Sequence, residues 1–219
     1  MVRVYLFCAF LPKLISTSAE FLVNQITEDD IEGARATLIK HCPSEFIENL
    51  SLKWWQIPQF ENRKNLIQDA LHAHKEGRYR LSIRALLPEI EGIITDWIYT
   101  KLPEDQVPWR PESKAKKFRD LAFDTPMATY TYRRIIEAAI DFVTNGPVME
   151  EFKRWFDAVN TSFPNRHAVV HGKYDETLYT EENSIKIFLL LDTIYHIISP
   201  SIQKENISVQ QNSETQTAG

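Results

Sequence analysis

Apolar residues recur along this chain at three- and four-residue intervals, the spacing of buried helix faces. Acidic residues crowd the first turn of a helix over 27–42 (TEDDIEGARATLIKHC), where they complement the dipole, and Pro43 stops it. A shorter helix follows in SEFIENLSLKWW, with Ser44 as its N-cap. Residues 62–76 form another, ended by Gly77. The longest stripe joins Leu81, Leu86, Leu87, Ile90, Ile94, Trp97 and Ile98. Pro88 sits inside it and removes a backbone donor, which predicts a kink or two helices meeting.

Beyond a loop at 102–110, SKAKKFRDLAF reads as a short basic helix. Residues 129–144 and 148–159 read as two more, the second with Phe152, Trp155 and Phe156 inward. A polar, turn-rich stretch leads to SIKIFLLLDTIYHIIS, apolar on nearly every side and so central or at a subunit interface. Residues 203–219 have little to bury and read as a disordered tail. No alternating strand pattern exceeds four residues. The fold expected is an all-α helical bundle, divided into a helical extension (1–59), a main domain (60–202) and the tail.

The 219 residues carry a net charge of −5 and 43% hydrophobic content, which suits a folded chain and excludes a blanket cationic surface. A nucleic-acid partner must therefore meet a local patch. Lys114, Lys116, Lys117 and Arg119 form the densest basic run and, with Arg133 and Arg134, could track an RNA backbone; a solvated helix face explains them equally. Trp54, Trp55, Trp97, Trp109 and Trp155 are core candidates before they are base-stacking ones. Cys8 and Cys42 cannot build a disulfide scaffold and read as reduced thiols. The start has a signal-like layout, but its apolar run (4–11) is short and Pro12 and Lys13 interrupt it, so a cytoplasmic protein is expected. No stretch reaches the ~18 apolar residues of a membrane span.

The chemistry concentrates in Pro164-Asn165-Arg166-His167-Ala168-Val169-Val170-His171-Gly172. On a helix, Arg166 and His171 lie about 140° apart, so they can serve one site only if the helix is short or ends near His171. His167 and His171 share a face. Asn165 would stand at the helix N-terminus, where free N–H groups attract anions. His167 and His171 also have the spacing of two zinc ligands, but Ala168 replaces the glutamate of H-E-x-x-H, and a third ligand would have to come from Asp175, Glu181 or Glu182. The plain structural alternative is a helix end, with Arg166 paired to Asp175 or Glu176 and His171 capping carbonyls. His72 and His74 read as solvent-exposed.

This segment resembles the R-x4-6-H signature of the HEPN superfamily: Arg166, the polar His167, three residues, then His171 and Gly172. The frame around it is similar too, with an acid-bearing apolar helix before (ALLPEIEGIITDWI) and an apolar helix after, over roughly residues 60–200. Arg35 and His41 fit the same spacing, but apolar Ala36 follows that arginine and the pair lies on an ordinary amphipathic helix. Many HEPN proteins are metal-independent endoribonucleases of toxin–antitoxin or antiviral defence systems, with sites formed where two domains meet. The resemblance implies RNA as substrate, a homodimer, an antitoxin or other regulatory protein as a further partner, and no cofactor or metal. It implies Arg166 on the scissile phosphate, His171 as acid or base, His167 steering phosphate or holding His171, Asn165 as a substrate neighbour, and Glu91 or Glu89 orienting the arginine. The competing expectation is a non-catalytic module of the same shape that binds a nucleotide, RNA or protein. Closure by the 173–183 loop, or an intramolecular salt bridge locking Arg166, would favour that module.

Overall fold

A computed structural model describes residues 39–123, 164–172 and 176–217, with Gly33, Ala36, Glu137, 140–143 and Val148 as separate positions. The protein is an all-α helical bundle, and the described residues contain no strand. Its helices are α1 (Ser44–Ser51), α2 (Pro58–Glu61), α3 (Lys64–Lys75), α4 (Tyr79–Tyr99), α5 (Pro111–Phe123), α6 (Arg166–Val170) and α7 (Glu181–Thr217). Among the described residues no helix is long and apolar enough to cross a membrane.

α4 is the axis of the bundle, and α2, α3, α5, α6 and α7 all pack on it. It is a single helix with Pro88 in its interior. The proline removes one N–H, but Ile83, Leu86, Leu87, Ile90, Ile93, Ile94, Trp97 and Ile98 are buried on both sides of it and hold the helix together. Leu81, expected on the apolar stripe, is 49% exposed, and Ser82 takes the inward position instead. Gly92 is the other unusual residue of α4. A Cβ there would meet the Arg63 guanidinium at 2.7 Å. The glycine thus lets Arg63 lie against the helix, where it donates to Glu89 and Asp96, each at 2.7 Å.

α7 is central within the chain itself. From Ile185 to Ile198 its aliphatic and aromatic side chains are at most 5% exposed. The helix continues to Thr217, through the run expected to be disordered. No glycine or proline lies between 201 and 217 to end it, and its Gln, Lys and Glu are good helix formers. Residues 44–60 share this core: Ile47, Leu50, Trp54, Ile57 and Phe60 belong to the same buried cluster as α4 and α7.

The helix ends follow local rules. Pro43 (φ −62°, ψ 163°) takes the N-cap position of α1, and its carbonyl accepts the Phe46 amide at 2.9 Å. Ser44, expected as the cap, is therefore the first helical residue. At the end of α3 the Gly77 amide bonds to the His74 carbonyl and the Arg78 amide to that of Ala73. This pairing needs a left-handed residue, and Gly77 has φ 72°. Isolated positions in 129–144 (Glu137 and 140–143) are helical. Of the helix expected over 148–159 only Val148 is described, as a turn; its remainder, the rest of the 129–144 helix and the signal-like start lie outside the described residues.

His74 corrects an expectation. It is 3% exposed, between Tyr79 (ring centroids 5.4 Å apart) and Phe188 (5.6 Å). Its place continues the α3 stripe of Ile67, Ala70 and Leu71. Its Nδ1 is hydrogen-bonded with Ser184 Oγ at 2.9 Å, and Ser184 Oγ in turn with Ser82 Oγ at 3.1 Å. Burial holds the imidazole below its ordinary 6.5. Above about 6.5 both folded and unfolded chains keep His74 neutral. Below it the unfolded chain binds a proton that the folded chain rejects, so stability falls until the folded pKa is passed. The slope is at most about 1.4 kcal/mol per pH unit. Urea melts from pH 7 to 5 should show a decline that His74→Asn flattens; equal slopes in the two proteins would refute it.

Candidate functional site

The site is built on α6, a helix of five residues. Asn165 is its N-cap, extended at φ −95°, ψ 133°, and its Oδ1 accepts the Ala168 amide at 3.0 Å. The Arg166 amide donates to the Val148 carbonyl at 3.2 Å. Ala168 and Val169 are buried, and α6 lies on α4. His171 is the C-cap, and Gly172 follows at φ 70°, its amide bonding to the Val169 carbonyl at 3.3 Å. A side chain bearing a Cβ would be strained at that φ, so the glycine after His171 is what stops the helix there.

The helix is short, which is the condition for Arg166 and His171 to serve one site. Arg166 is the first helical residue and His171 closes the last turn, so both flank one small element. Arg166 is half-buried and its Nη2 forms an ion pair with Glu91 Oε2. Glu91 Oε1 accepts from Lys114 Nζ at 2.9 Å. One carboxylate thus stands between two cations, brought from α4, α5 and α6. The side chains of Glu91, Lys114 and Arg166 are 10%, 15% and 23% exposed. Arg166 Nε is buried and has no hydrogen-bond partner among the described residues. The His167 and His171 rings lie 4.4 Å apart, tilted by 52°. His167 is half-buried and His171 exposed.

The structure separates the two acids that the sequence left equivalent. Glu91 is 7% exposed and faces Arg166; Glu89 faces Arg63. Two residues along a helix turn the side chain by about 200°, so only one of the pair can meet α6. Asn165 is buried and its oxygen is engaged in the cap. With the Arg166 and Ala168 amides both bonded, the start of α6 is a satisfied helix end rather than an open cradle of N–H groups. Glu176 pairs with Arg80 and not with Arg166.

Lys114 is the member that sequence reasoning placed only in a basic run. The available signal was its position beside buried Ala115 and Phe118, which turns it toward α4. No group of three His, Cys, Asp or Glu that could hold a metal occurs among the described residues; Asp175 lies outside them. Cys42 is 1% exposed, and burial pushes its thiol up to about 11, which leaves it a poor nucleophile. No family model matches the chain, and neither does any curated protein or solved structure.

Proposed function

We propose that the protein is a metal-independent endoribonuclease of HEPN type that acts as a homodimer, with Arg166 and His171 at its centre. The observation that carries this reading is the held arginine. Arg166 is fixed by Glu91 and backed by Lys114, at the head of the same short helix that ends in exposed His171. Taken alone, the intramolecular ion pair that holds Arg166 favours a non-catalytic binding module. Charge favours the enzyme: two cations share one carboxylate, so a positive surplus remains for a phosphate.

In the reaction the ribose 2′-oxygen attacks the adjacent phosphorus as its proton leaves, and the bond from phosphorus to the 5′-oxygen breaks. His171 moves protons between these two oxygens as general acid and base. Arg166 stabilises the charge that builds on the phosphate oxygens. His167, against the His171 ring, orients it. The products are a 2′,3′-cyclic phosphate and a 5′-hydroxyl. Because the substrate supplies its own nucleophile, the chemistry needs no metal.

The test is cleavage of a mixed RNA in excess EDTA, wild type beside His171→Ala. Wild type should cut and leave cyclic phosphate ends, and the variant should be about 10²–10⁴-fold slower. Equal rates would remove His171 from the site. No cutting by wild type, with RNA binding that depends on Arg166, would establish the binding module instead.

A further inference from the structure

The surface beside the site has a second feature. Trp109 is 80% exposed, the most exposed of the large hydrophobic side chains described. It stands directly before α5, with Pro108 and Pro111 close on either side to restrict the backbone. The Arg110 guanidinium lies 5.6 Å from the centre of its ring. The Arg110 carbonyl accepts the Lys114 amide at 2.9 Å, so Arg110 stands at the N-cap position of α5. Arg110, Lys114 and Lys117 then stand at i, i+4 and i+7 and share one face over about 10 Å. The middle member of that row is the lysine that meets Glu91 beside Arg166. Residues 110–123 hold five cationic side chains against two acidic ones, in a chain of net charge −5.

We infer that this face of α5 binds a single strand of RNA, its phosphates along Arg110 and Lys117 and one base stacked on Trp109. The cationic side chains favour a polyanion, and the indole face that Arg110 does not cover is a flat surface that every base can use. A duplex keeps its base faces covered and cannot use Trp109. The inference rests on the ribonuclease reading only for the choice of RNA. Binding can be measured where no cleavage occurs.

The probe is a fluorescein-labelled oligouridylate of about a dozen nucleotides, within the length range of single-strand sites. Its anisotropy is followed with full-length His171→Ala, so that the strand stays intact. Trp109→Ala in that background should weaken binding about tenfold, and Trp109→Phe much less. Lys117→Gln should weaken it and lower the slope of log affinity against log salt by about 1. The same strand annealed to its complement should bind without regard to Trp109. The inference is overturned if the strand does not bind, if Trp109→Ala and Lys117→Gln bind like their parent, or if duplex binding shows the same Trp109 dependence. Intact Trp109-dependent binding by a wild type that never cuts would sink the ribonuclease reading alone. Cutting with an unchanged KM in Trp109→Ala would sink this surface alone.

Discussion

Glu91→Ala should destabilise the protein more than Arg166→Ala or Lys114→Ala, by about 2–4 kcal/mol against about 1–2. The reason is the two-to-one arrangement. Removing either cation leaves Glu91 with the other. Removing the carboxylate leaves two largely covered cations facing each other with no counter-charge. Breaking a buried pair costs about 3–5 kcal/mol, and the value here is lower because both long side chains can carry their charge toward water. Activity should follow the opposite order. On the proposed ribonuclease reading, Arg166→Ala removes the group assigned to the phosphate, while Glu91→Ala only frees it to wander, so Arg166→Ala should show the lower activity. Urea denaturation and initial rates in EDTA, on all three variants, check both orders. If Glu91→Ala were as stable as the cation variants, the shared carboxylate would not be what positions Arg166.

That arrangement also marks the limit of what the sequence could say. The R-H-x3-H-G segment was visible, as was the turn it implies, because Gly172 and Asn165 are local signals that act on their own neighbours. The choice between Glu89 and Glu91 was not, because it depends on Arg63 and Arg166, which lie far from α4 in the chain. Pro88 left a kink and a break equally open for a related reason. The cost of one missing hydrogen bond is local, but the burial that outweighs it comes from α3, α5 and α7 packing around α4. His74 was legible and was misread. It continues the stripe of Ile67, Ala70 and Leu71 at helical spacing, and its polar ring drew attention away from its position. The run 203–217 shows the reverse: composition argued for a tail with nothing to bury, while its residues carry no stop signal for the helix they extend.

Trp54→Ala should cost about 3–5 kcal/mol, the range for deleting a large aromatic from a core. Trp54 has no exposure, and its ring packs on Phe60 at 5.6 Å and edge-on to Trp55 at 6.2 Å. Its Nε1 donates to Asp192 Oδ1 at 2.9 Å, on α7. Asp192 also pairs with Lys53 at 2.7 Å, and Lys53 lies 2.7 Å from His196 Nε2. Trp54→Phe keeps much of the volume and leaves Asp192 its lysine, so it should lose about 1–2 kcal/mol, one hydrogen bond and a small void. The gradient between the two variants separates packing from the polar link, and denaturant melts read it directly. A loss below about 1 kcal/mol in Trp54→Ala would mean that the segment around it adds little to the bundle. The expected loss has a consequence for any shortened form. A chain starting at residue 60 would uncover the core that Ile47, Leu50, Trp54 and Ile57 now share, including the faces of α3 and α7 on which α1 packs, and it would strip Asp192 of both Trp54 and Lys53. Such a fragment should fail to give a cooperative melt, because the resemblance that begins near residue 60 does not mark where this core begins.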